Sequence, residues 1–450
     1  MAPLRLRGSS LRYFVPAFCC LIIICDGYDV SVFGATVPVL LKYEQWNLDA
    51  AEVGAIASLA LVGLLLGSLL CGFATDLLGR KRMLILSTSW FSACMLVCSV
   101  APTSQIFGLF RFLGGIGLGG VIPVCIALTV EFAPSSRRYL FNAIGNAGFS
   151  VGAIISALLS IAILPQFGFR PMYAIAGLPL LLMPVAMVML PESIDYLVSK
   201  GRIRAAQEVA RRFDLPIPTA DTTPRQAAAD GRERSNLRVL MRRPLLGGLV
   251  LFSIAALIVQ VSIYGLNTWL PQIMQTAGYG LTSALSFLAT LSVGAIVGSL
   301  TLSWFADRAG PRHVLIVSFG IGVIALAVLS AGPPTAVVYL AVALAGVGGS
   351  GTAAILHAYV GTWFHAAVRA SAVGSYLAVS RLGSILGPLA LGWIIVVGLP
   401  VSWTFYALMA PTVIGVLVVL LLPRRHLDGR PLNAAAPQPA DLSASASQVS

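Results

Sequence analysis

Twelve long apolar runs, separated by short polar segments, cover most of this chain. They span about residues 14–39, 52–74, 82–101, 105–131, 139–164, 169–190, 245–270, 282–305, 313–331, 335–360, 368–396 and 400–422. A helix of roughly 20 residues crosses a hydrocarbon core of about 30 Å, whereas a barrel strand is an alternating segment of about 10 residues. The pattern therefore predicts an all-α integral membrane protein with twelve transmembrane helices.

The composition excludes an ordinary soluble domain. Hydrophobic residues make up 58% of the 450 residues, charged residues make up 10%, and the mean hydropathy is +0.89. Soluble domains are about half apolar and about a quarter charged. The chain is therefore expected to have the lipid bilayer as its solvent.

The basic residues predict an orientation. Of the 29 Lys and Arg residues, 25 lie in seven short segments at or beyond the ends of the apolar runs; the exceptions are Lys42, Arg111, Arg170 and Arg381. If each apolar run crosses the membrane once, these seven segments all lie on the same side. By the positive-inside rule that side, with both termini, is cytoplasmic. The net charge of +12 is thus an orientation signal, and its scatter over short segments argues against nucleic-acid binding.

The chain contains an internal repeat. A shift of 231 residues aligns Asp76 with Asp307, Arg138 with Arg369 and several glycines with one another. The predicted domains are an N-terminal six-helix bundle (1–190), a cytoplasmic linker (191–243), a C-terminal six-helix bundle (244–424) and a disordered cytoplasmic tail (425–450). Two parallel six-helix repeats are typical of a secondary transporter whose site lies between the halves, at the bilayer midplane.

Two carboxylates interrupt the first apolar run. In the stretch IICDGYDVSV, Asp26 and Asp29 lie about 60° apart around a helix and one turn apart in height. An ionised carboxylate at the bilayer centre costs about 2.5–3.5 kcal/mol on insertion scales, so the pair needs a cation, a water-filled pocket or a bound proton. We expect the pair to couple transport to a proton, with Asp29 as the coupling residue. The alternative is a fixed ion pair with an arginine that only orients helices.

Arg111 and Arg381 are the permanent cations inside the predicted spans. A guanidinium matches a carboxylate in a bidentate fashion and keeps its charge. Arg381 is the first choice for a substrate carboxylate, and Arg111 for tuning the acid pair. The alternatives are permanent pairing of Arg111 with an aspartate and capping of helix carbonyls by Arg381.

Other residues in the spans are candidates for contact with a substrate. His357 lies well inside the tenth span, where it either packs or forms a hydrogen bond to a ligand. The aromatic candidates for stacking on a ring are Tyr28, Phe33, Tyr264, Trp269 and Tyr376. The sequence shows no nucleophile–base pair, phosphate loop or metal cluster, so we predict neither an enzyme nor a cofactor other than the proton.

The loop after the second run carries a recognisable motif. The stretch GFATDLLGRKR, Gly72 to Arg82, resembles the loop signature of the major facilitator superfamily, and SWFADRAGPRH, Ser303 to His313, resembles its degenerate second copy. The copies depart from the pattern at Leu77, Ser303 and Pro311. RFLGGIGLG, which starts at Arg111, resembles the fourth-helix motif of the same superfamily.

The loop motif implies a gate. Asp76 is expected at the positive end of a neighbouring helix, Arg80 is expected to reach Glu131, and Gly72 and Gly79 are expected to allow a tight reversal. The second copy contributes Asp307, and the symmetry-related pair Arg138 and Arg369 are expected to have gating roles.

Within the superfamily, DGYD in the first span and the stretches LNTWLPQIMQTAGY and RASAVGSYLAVSRLGSILGPLALGW resemble the aromatic acid:proton symporters. This resemblance implies import of a benzoate or hydroxybenzoate with protons by a monomer in the bacterial cytoplasmic membrane. His357 and the pair Phe364 and His365 depart from the family pattern, so the preferred aromatic acid is open. Transport of another organic anion and efflux by antiport are the alternatives, although the fifth span lacks the Gly-Pro motif of the antiporters.

Overall fold

The computed structural model describes residues 8–133, 138–213, 215, 240, 245–364 and 366–422. These residues form helices joined by turns and contain no strand. Twelve of the helical segments are long and apolar enough to cross a membrane. The predicted fold class is therefore confirmed, and the outer residues 1–7 and 423–450 lie outside the described part.

The first half contains six membrane-spanning segments. They are α1 (Gly8–Leu40), α2 (Ala50–Leu78), α3 (Arg80–Val100), α4 (Ser104–Phe132), α5 (Arg138–Phe167) and a sixth, interrupted segment. The sixth segment consists of α6 (Arg170–Ala176), a 3₁₀ turn (Leu178–Leu182) and α7 (Met183–Met189). Pro179 and Pro184 lack the backbone N–H that a continuous α-helix needs, which explains the interruption of the span predicted at 169–190.

Two short helices follow the first half. They are α8 (Ile194–Ser199), which the sequence did not predict, and α9 (Ile203–Arg212). Residues 216–239, the greater part of the predicted linker, lie outside the described residues.

The second half also has six spans. They are α10 (Leu245–Thr276), α11 (Leu281–Ala309), α12 (Pro311–Ser330), α13 (Thr335–Gly346) continued by α14 (Thr352–Trp363), α15 (Ala366–Val396) and α16 (Val401–Leu421). A π-helical turn, Val347–Gly351, joins α13 to α14. Its sequence, VGGSG, is almost free of side chains, which permits the wider turn.

The internal repeat is visible in the packing of glycines. A Cβ atom on Gly67 would lie 2.0 Å from the carbonyl oxygen of Ile116, and one on Gly298 would lie 2.5 Å from the Cα of Val347. Two further pairs of contacts are related by the same 231-residue spacing. Gly63 packs on Phe112 as Gly294 packs on Ala343, and Gly117 packs on Ser87 as Gly348 packs on Ser318. Backbone-to-backbone contacts of this kind require glycine, so the two halves share one packing scheme.

We call the side of the molecule that carries α8 and α9 the linker side, and the opposite side the far side. The two bundles meet closely on the far side. On the far side Gly54 packs against Pro388 and Gly392, and the Ser58 hydroxyl donates to the Ile385 carbonyl at 2.8 Å. On the linker side Asp76 and Arg369 are exposed, and no ion pair joins the bundles among the described residues. The far side is therefore closed by packing, whereas on the linker side the described residues form no ion pair between the bundles.

Candidate functional site

A charged cluster lies where α1 meets α4. Nη1 of Arg111 lies 2.7 Å from Oδ1 of Asp29, and the two residues are 4% and 2% exposed. The guanidinium carbon lies 5.2 Å from the ring centroid of Phe33 and 5.9 Å from that of Tyr173. The aromatic faces and the carboxylate together stabilise a buried cation.

Glycines set the position of the cluster. On α1, a Cβ atom at Gly27 would lie 1.9 Å from the carbonyl oxygen of Phe149 on α5, so α1 is held against α5 on one side. On α4, Gly115 packs on the backbone of Ala60 in α2. These contacts fix the helices that carry the acid pair and Arg111.

Asp26 is the second carboxylate of the cluster and lacks a full set of partners. It is 1% exposed, and its Oδ1 atom has no hydrogen-bond partner among the described residues. Asp29 and Arg381 both act on it electrostatically. The structure therefore brings Asp26, Asp29 and Arg111 together as the sequence suggested, but only Asp29 forms the ion pair with Arg111.

The charged cluster opens to the interface between the bundles. A cavity of about 430 Å³ is lined by Asp29, Phe33 and Arg111 from the first half, and by Tyr264 and Thr268 from α10 in the second half. Arg381 on α15 interacts with the Tyr264 hydroxyl. Side chains from both halves thus surround the space beside the ion pair.

A larger cavity of about 750 Å³ lies mainly within the second bundle. Its polar lining residues include Ser262, Asn267, Ser292 and Thr412, and no residue of its wall carries a charge. A carboxylate buried there would have no cationic partner, which is costly. The arginines Arg111 and Arg381 would therefore stabilise the carboxylate of an organic anion better than this cavity would.

A third cavity, a narrow cleft, lies between α10, α14 and α15. Its polar lining residues are Gln260, His357, Tyr376 and Ser380. The rings of His357 and Tyr376 meet edge to face, with centroids 5.4 Å apart. Two predicted substrate residues, one of them the histidine that departs from the family pattern, therefore share one wall.

Two predicted stacking residues are placed elsewhere. The Tyr28 hydroxyl donates to the Met172 carbonyl at 3.0 Å, and Trp269 Nε1 donates to the Pro388 carbonyl at 2.8 Å. Both rings are buried in helix packing and line none of the three cavities. In this conformation neither is placed to stack on a ligand, whereas Phe33, Tyr264 and Tyr376 each line a cavity.

The loop motif forms the contact expected of it on the linker side. Nη1 of Arg80 lies 2.6 Å from Oε2 of Glu131. Gly79 adopts φ +91°, a left-handed conformation that favours glycine, and it is the residue at which α2 ends and α3 begins. Gly72 lies inside α2, so the expectation that it allows the reversal is wrong.

Residues at the start of the linker complete this network, and the sequence analysis did not identify them. Oε1 of Glu131 accepts hydrogen bonds from the backbone N–H of Ile194, from that of Asp195 at 3.2 Å and from the Ser193 hydroxyl at 3.1 Å. Glu192 accepts from the backbone N–H of Lys81 at 3.0 Å. The signal that was available is Ser193, a typical N-cap residue ahead of a short helix.

The remaining gating candidates make few contacts in this conformation. Asp76 and Asp307 are exposed and have no ion pair among the described residues, so Asp76 does not cap a neighbouring helix here. Nε of Arg369 donates to the Phe364 carbonyl at 3.3 Å. The side chain of Arg138, like residue His365, lies outside the described part.

The sequence matches a known family along almost its whole length. The family model of the Major Facilitator Superfamily matches residues 19–301 and again 284–448. The chain is 32% identical to the benzoate transport protein of Acinetobacter baylyi, over 93% of this chain and 91% of that protein. It is 32% identical to the gentisate transporter of Corynebacterium glutamicum (89% and 85% covered) and 26% identical to the 4-hydroxybenzoate transporter PcaK of A. baylyi (90% and 89% covered).

The fold is similar to those of solved transporters. The partially occluded inward-open xylose transporter XylE of E. coli superposes with a TM-score of 0.71 at 18% identity, covering 94% of this chain and 100% of XylE. A bacterial homologue of the lysosomal transporter Spinster gives a TM-score of 0.66 at 18% identity, with 92% and 95% covered. At these identities the likeness concerns the fold.

Proposed function

The chain belongs to the major facilitator superfamily, as its loop motifs indicated, and from this premise we propose that it carries a small aromatic carboxylate of the benzoate and hydroxybenzoate class across a membrane together with a proton. It is a transporter and not an enzyme. The observation that carries the proposal is the buried oxygen of Asp26 without a partner, next to the paired Asp29 and Arg111, beside a cavity between the bundles.

Asp26 is the better candidate for the exchangeable proton. An ionised carboxylate oxygen that is buried without a donor carries a large desolvation cost, and a bound proton removes that charge. Asp29 already has a cationic partner at 2.7 Å. We therefore assign the coupling proton to Asp26, in place of the Asp29 that the sequence led us to expect, and an orienting role to the Asp29–Arg111 pair.

Arg381 links proton binding to substrate binding. Its positive charge acts on Asp26 electrostatically, and a neighbouring cation opposes the binding of a proton to a carboxylate. When a substrate carboxylate binds the Arg381 guanidinium, it neutralises that charge, so that proton binding at Asp26 becomes more favourable. Because such a coupling is reciprocal, a proton on Asp26 also favours substrate binding at Arg381. Co-transport of the anion with the proton follows, with no other cofactor.

The charge distribution supports import as the proposed direction of transport. The basic residues assign the linker side to the cytoplasm, so the closed far side faces outward in this conformation. Release of substrate and proton to the cytoplasm then corresponds to import. We place the protein, as a monomer, in a bacterial cytoplasmic membrane.

The test is uptake by the purified full-length protein in proteoliposomes. Radiolabelled benzoate and 4-hydroxybenzoate should accumulate when the outside is more acidic, and a protonophore should abolish accumulation while leaving exchange of substrate intact. Accumulation that requires the opposite pH gradient would indicate antiport instead. If neither acid moves under any gradient, the proposed substrate class is wrong.

A further inference from the structure

A buried tyrosine hydroxyl lies on the wall of the third cavity. Tyr376 is 1% exposed, and its hydroxyl has no hydrogen-bond partner among the described residues. Buried polar groups are satisfied in most proteins, so this hydroxyl is available to form a hydrogen bond with a ligand. Gln260, His357 and Ser380 supply the other polar groups of that wall.

The hydrogen bonding of His357 defines what the imidazole offers to a ligand. Its Nδ1 atom forms a short hydrogen bond to the Ala353 carbonyl, which can only accept, so Nδ1 carries the hydrogen. In the neutral ring Nε2 is then an acceptor. The His357 ring is exposed, so this acceptor is accessible to a ligand from the open side of the cavity.

We propose that Nε2 of His357 and the Tyr376 hydroxyl together recognise a ring hydroxyl of the carried aromatic acid. A phenolic O–H donates to Nε2, and its oxygen accepts from the Tyr376 O–H. One acceptor and one donor on the wall thus match the donor and acceptor of a single phenol. This inference rests on the proposed function and names the residues that select among aromatic acids.

Arg381 lies close enough to His357 to act on it electrostatically. On α15 it follows Ser380 directly, and Ser380 and Tyr376 lie one turn apart on the same face. A carboxylate bound at Arg381 therefore lies near the wall that carries Tyr376 and His357. The ligand class is a monocyclic aromatic acid that carries a ring hydroxyl.

The polar groups of this wall imply selectivity among aromatic acids. A site that offers hydrogen-bond partners to a hydroxyl discriminates against an analogue without it, because its own polar groups then stay unpaired. Selectivity for a hydroxylated ring is the expected result.

The experiment compares 4-hydroxybenzoate with benzoate in substrate exchange by the full-length protein in proteoliposomes. We expect the wild type to show a half-saturation concentration about tenfold lower for 4-hydroxybenzoate. Tyr376→Phe and His357→Leu should each reduce this preference to about twofold or less, with little change for benzoate. His357→Gln, which keeps an acceptor, should retain most of the preference.

Tyr359→Phe is the matched control, since it removes a hydroxyl from the same helix as His357 at a position that does not line the cavity. It should leave the preference unchanged. Equal use of both acids by the wild type, or an unchanged preference in both Tyr376→Phe and His357→Leu, would overturn the inference while leaving aromatic acid transport intact. Absence of transport of either acid would instead refute the proposed function. Because His357 is exposed, its variants are expected to fold even if Tyr376→Phe does not.

Discussion

Arg111 and Asp29 form a buried ion pair, 2.7 Å between Nη1 and Oδ1, that joins α4 to α1. The pair neutralises one carboxylate of the first helix. Asp26, one helical turn earlier, has an oxygen without a hydrogen-bond partner among the described residues. This difference in environment is the basis for proposing an orienting role for Asp29 and a proton-binding role for Asp26.

The two aspartates should respond differently to neutralisation. In Asp26→Asn the site resembles its protonated form, so accumulation driven by a pH gradient should be lost while substrate exchange persists. In Asp29→Asn the buried Arg111 loses its partner, which costs about 3–5 kcal/mol and should reduce the amount of folded protein. Both activities and the folded yield are measured in parallel. Accumulation by Asp26→Asn at the wild-type level would remove Asp26 from the coupling mechanism.

The guanidinium fork of Arg381 should be required for substrate binding. Arg381→Lys keeps the charge but removes the bidentate geometry, so the half-saturation concentration for benzoate should rise about tenfold or more. The control is Arg312→Lys, because Arg312 donates to the Val419 and Leu420 carbonyls at the end of α16 and lines no described cavity. An unchanged half-saturation concentration in Arg381→Lys would exclude Arg381 as the anion site.

Glu131 should stabilise the first bundle through its contacts with the start of the linker. Glu131→Gln removes the charge that Arg80, Ser193 and Asp195 contact, and we expect a loss of about 1.5–3 kcal/mol in stability and slower turnover. Thermal unfolding in detergent and the exchange rate test both parts. Asp307→Asn is the control for the stability measurement, since Asp307 is exposed near the end of α11. A wild-type melting temperature for Glu131→Gln would show that the network contributes nothing measurable.

Two glycines of α2 should differ sharply in their tolerance of alanine. A methyl group on Gly67 would lie 2.0 Å from the Ile116 carbonyl oxygen, so Gly67→Ala should displace α4 and lower the folded yield. Gly72 has no atom within 4 Å of an added Cβ, and Gly72→Ala should leave the yield unchanged or raise stability by about 0.5–1 kcal/mol. Size-exclusion profiles of both variants distinguish these outcomes. A normal profile for Gly67→Ala would mean that the helices can separate without cost.

Much of the fold was predictable because the bilayer fixes the length of a span. The twelve predicted segments agree with the observed ones because about 20 apolar residues are needed for each crossing. The repeat was predictable because backbone contacts between helices demand glycine at fixed spacings. The break at Leu178–Leu182 and the helix α8 were not predicted, since both depend on local turns and distant hydrogen bonds.

The sequence predicted which residues belong to the charged cluster, but not which of them form an ion pair. Asp26, Asp29 and Arg111 could be identified because a charged side chain inside an apolar membrane span is costly and usually functional. Which aspartate pairs with Arg111 depends on how α1 and α4 are rotated, and helical spacing alone does not determine that. The hydroxyl of Tyr28 and the indole of Trp269 donate to carbonyls far along the chain, at Met172 and Pro388, and neither residue lines the three cavities described above.

The glycine contacts that recur 231 residues apart show that the helix packing is duplicated, whereas the charged residues of the candidate site are not. By that spacing Arg111 corresponds to Val342 and Arg80 to Pro311. The contact of Gly152 with Ile24 is matched by that of Gly383 with Leu257, a shift of 233 residues along the first helix of each half, which sets Asp26 opposite Val259. The first half carries the buried carboxylates, and the second carries Arg381 and His357. We expect substitutions that change which acid is carried to lie in the second half, and substitutions that abolish the proposed proton coupling to lie in the first.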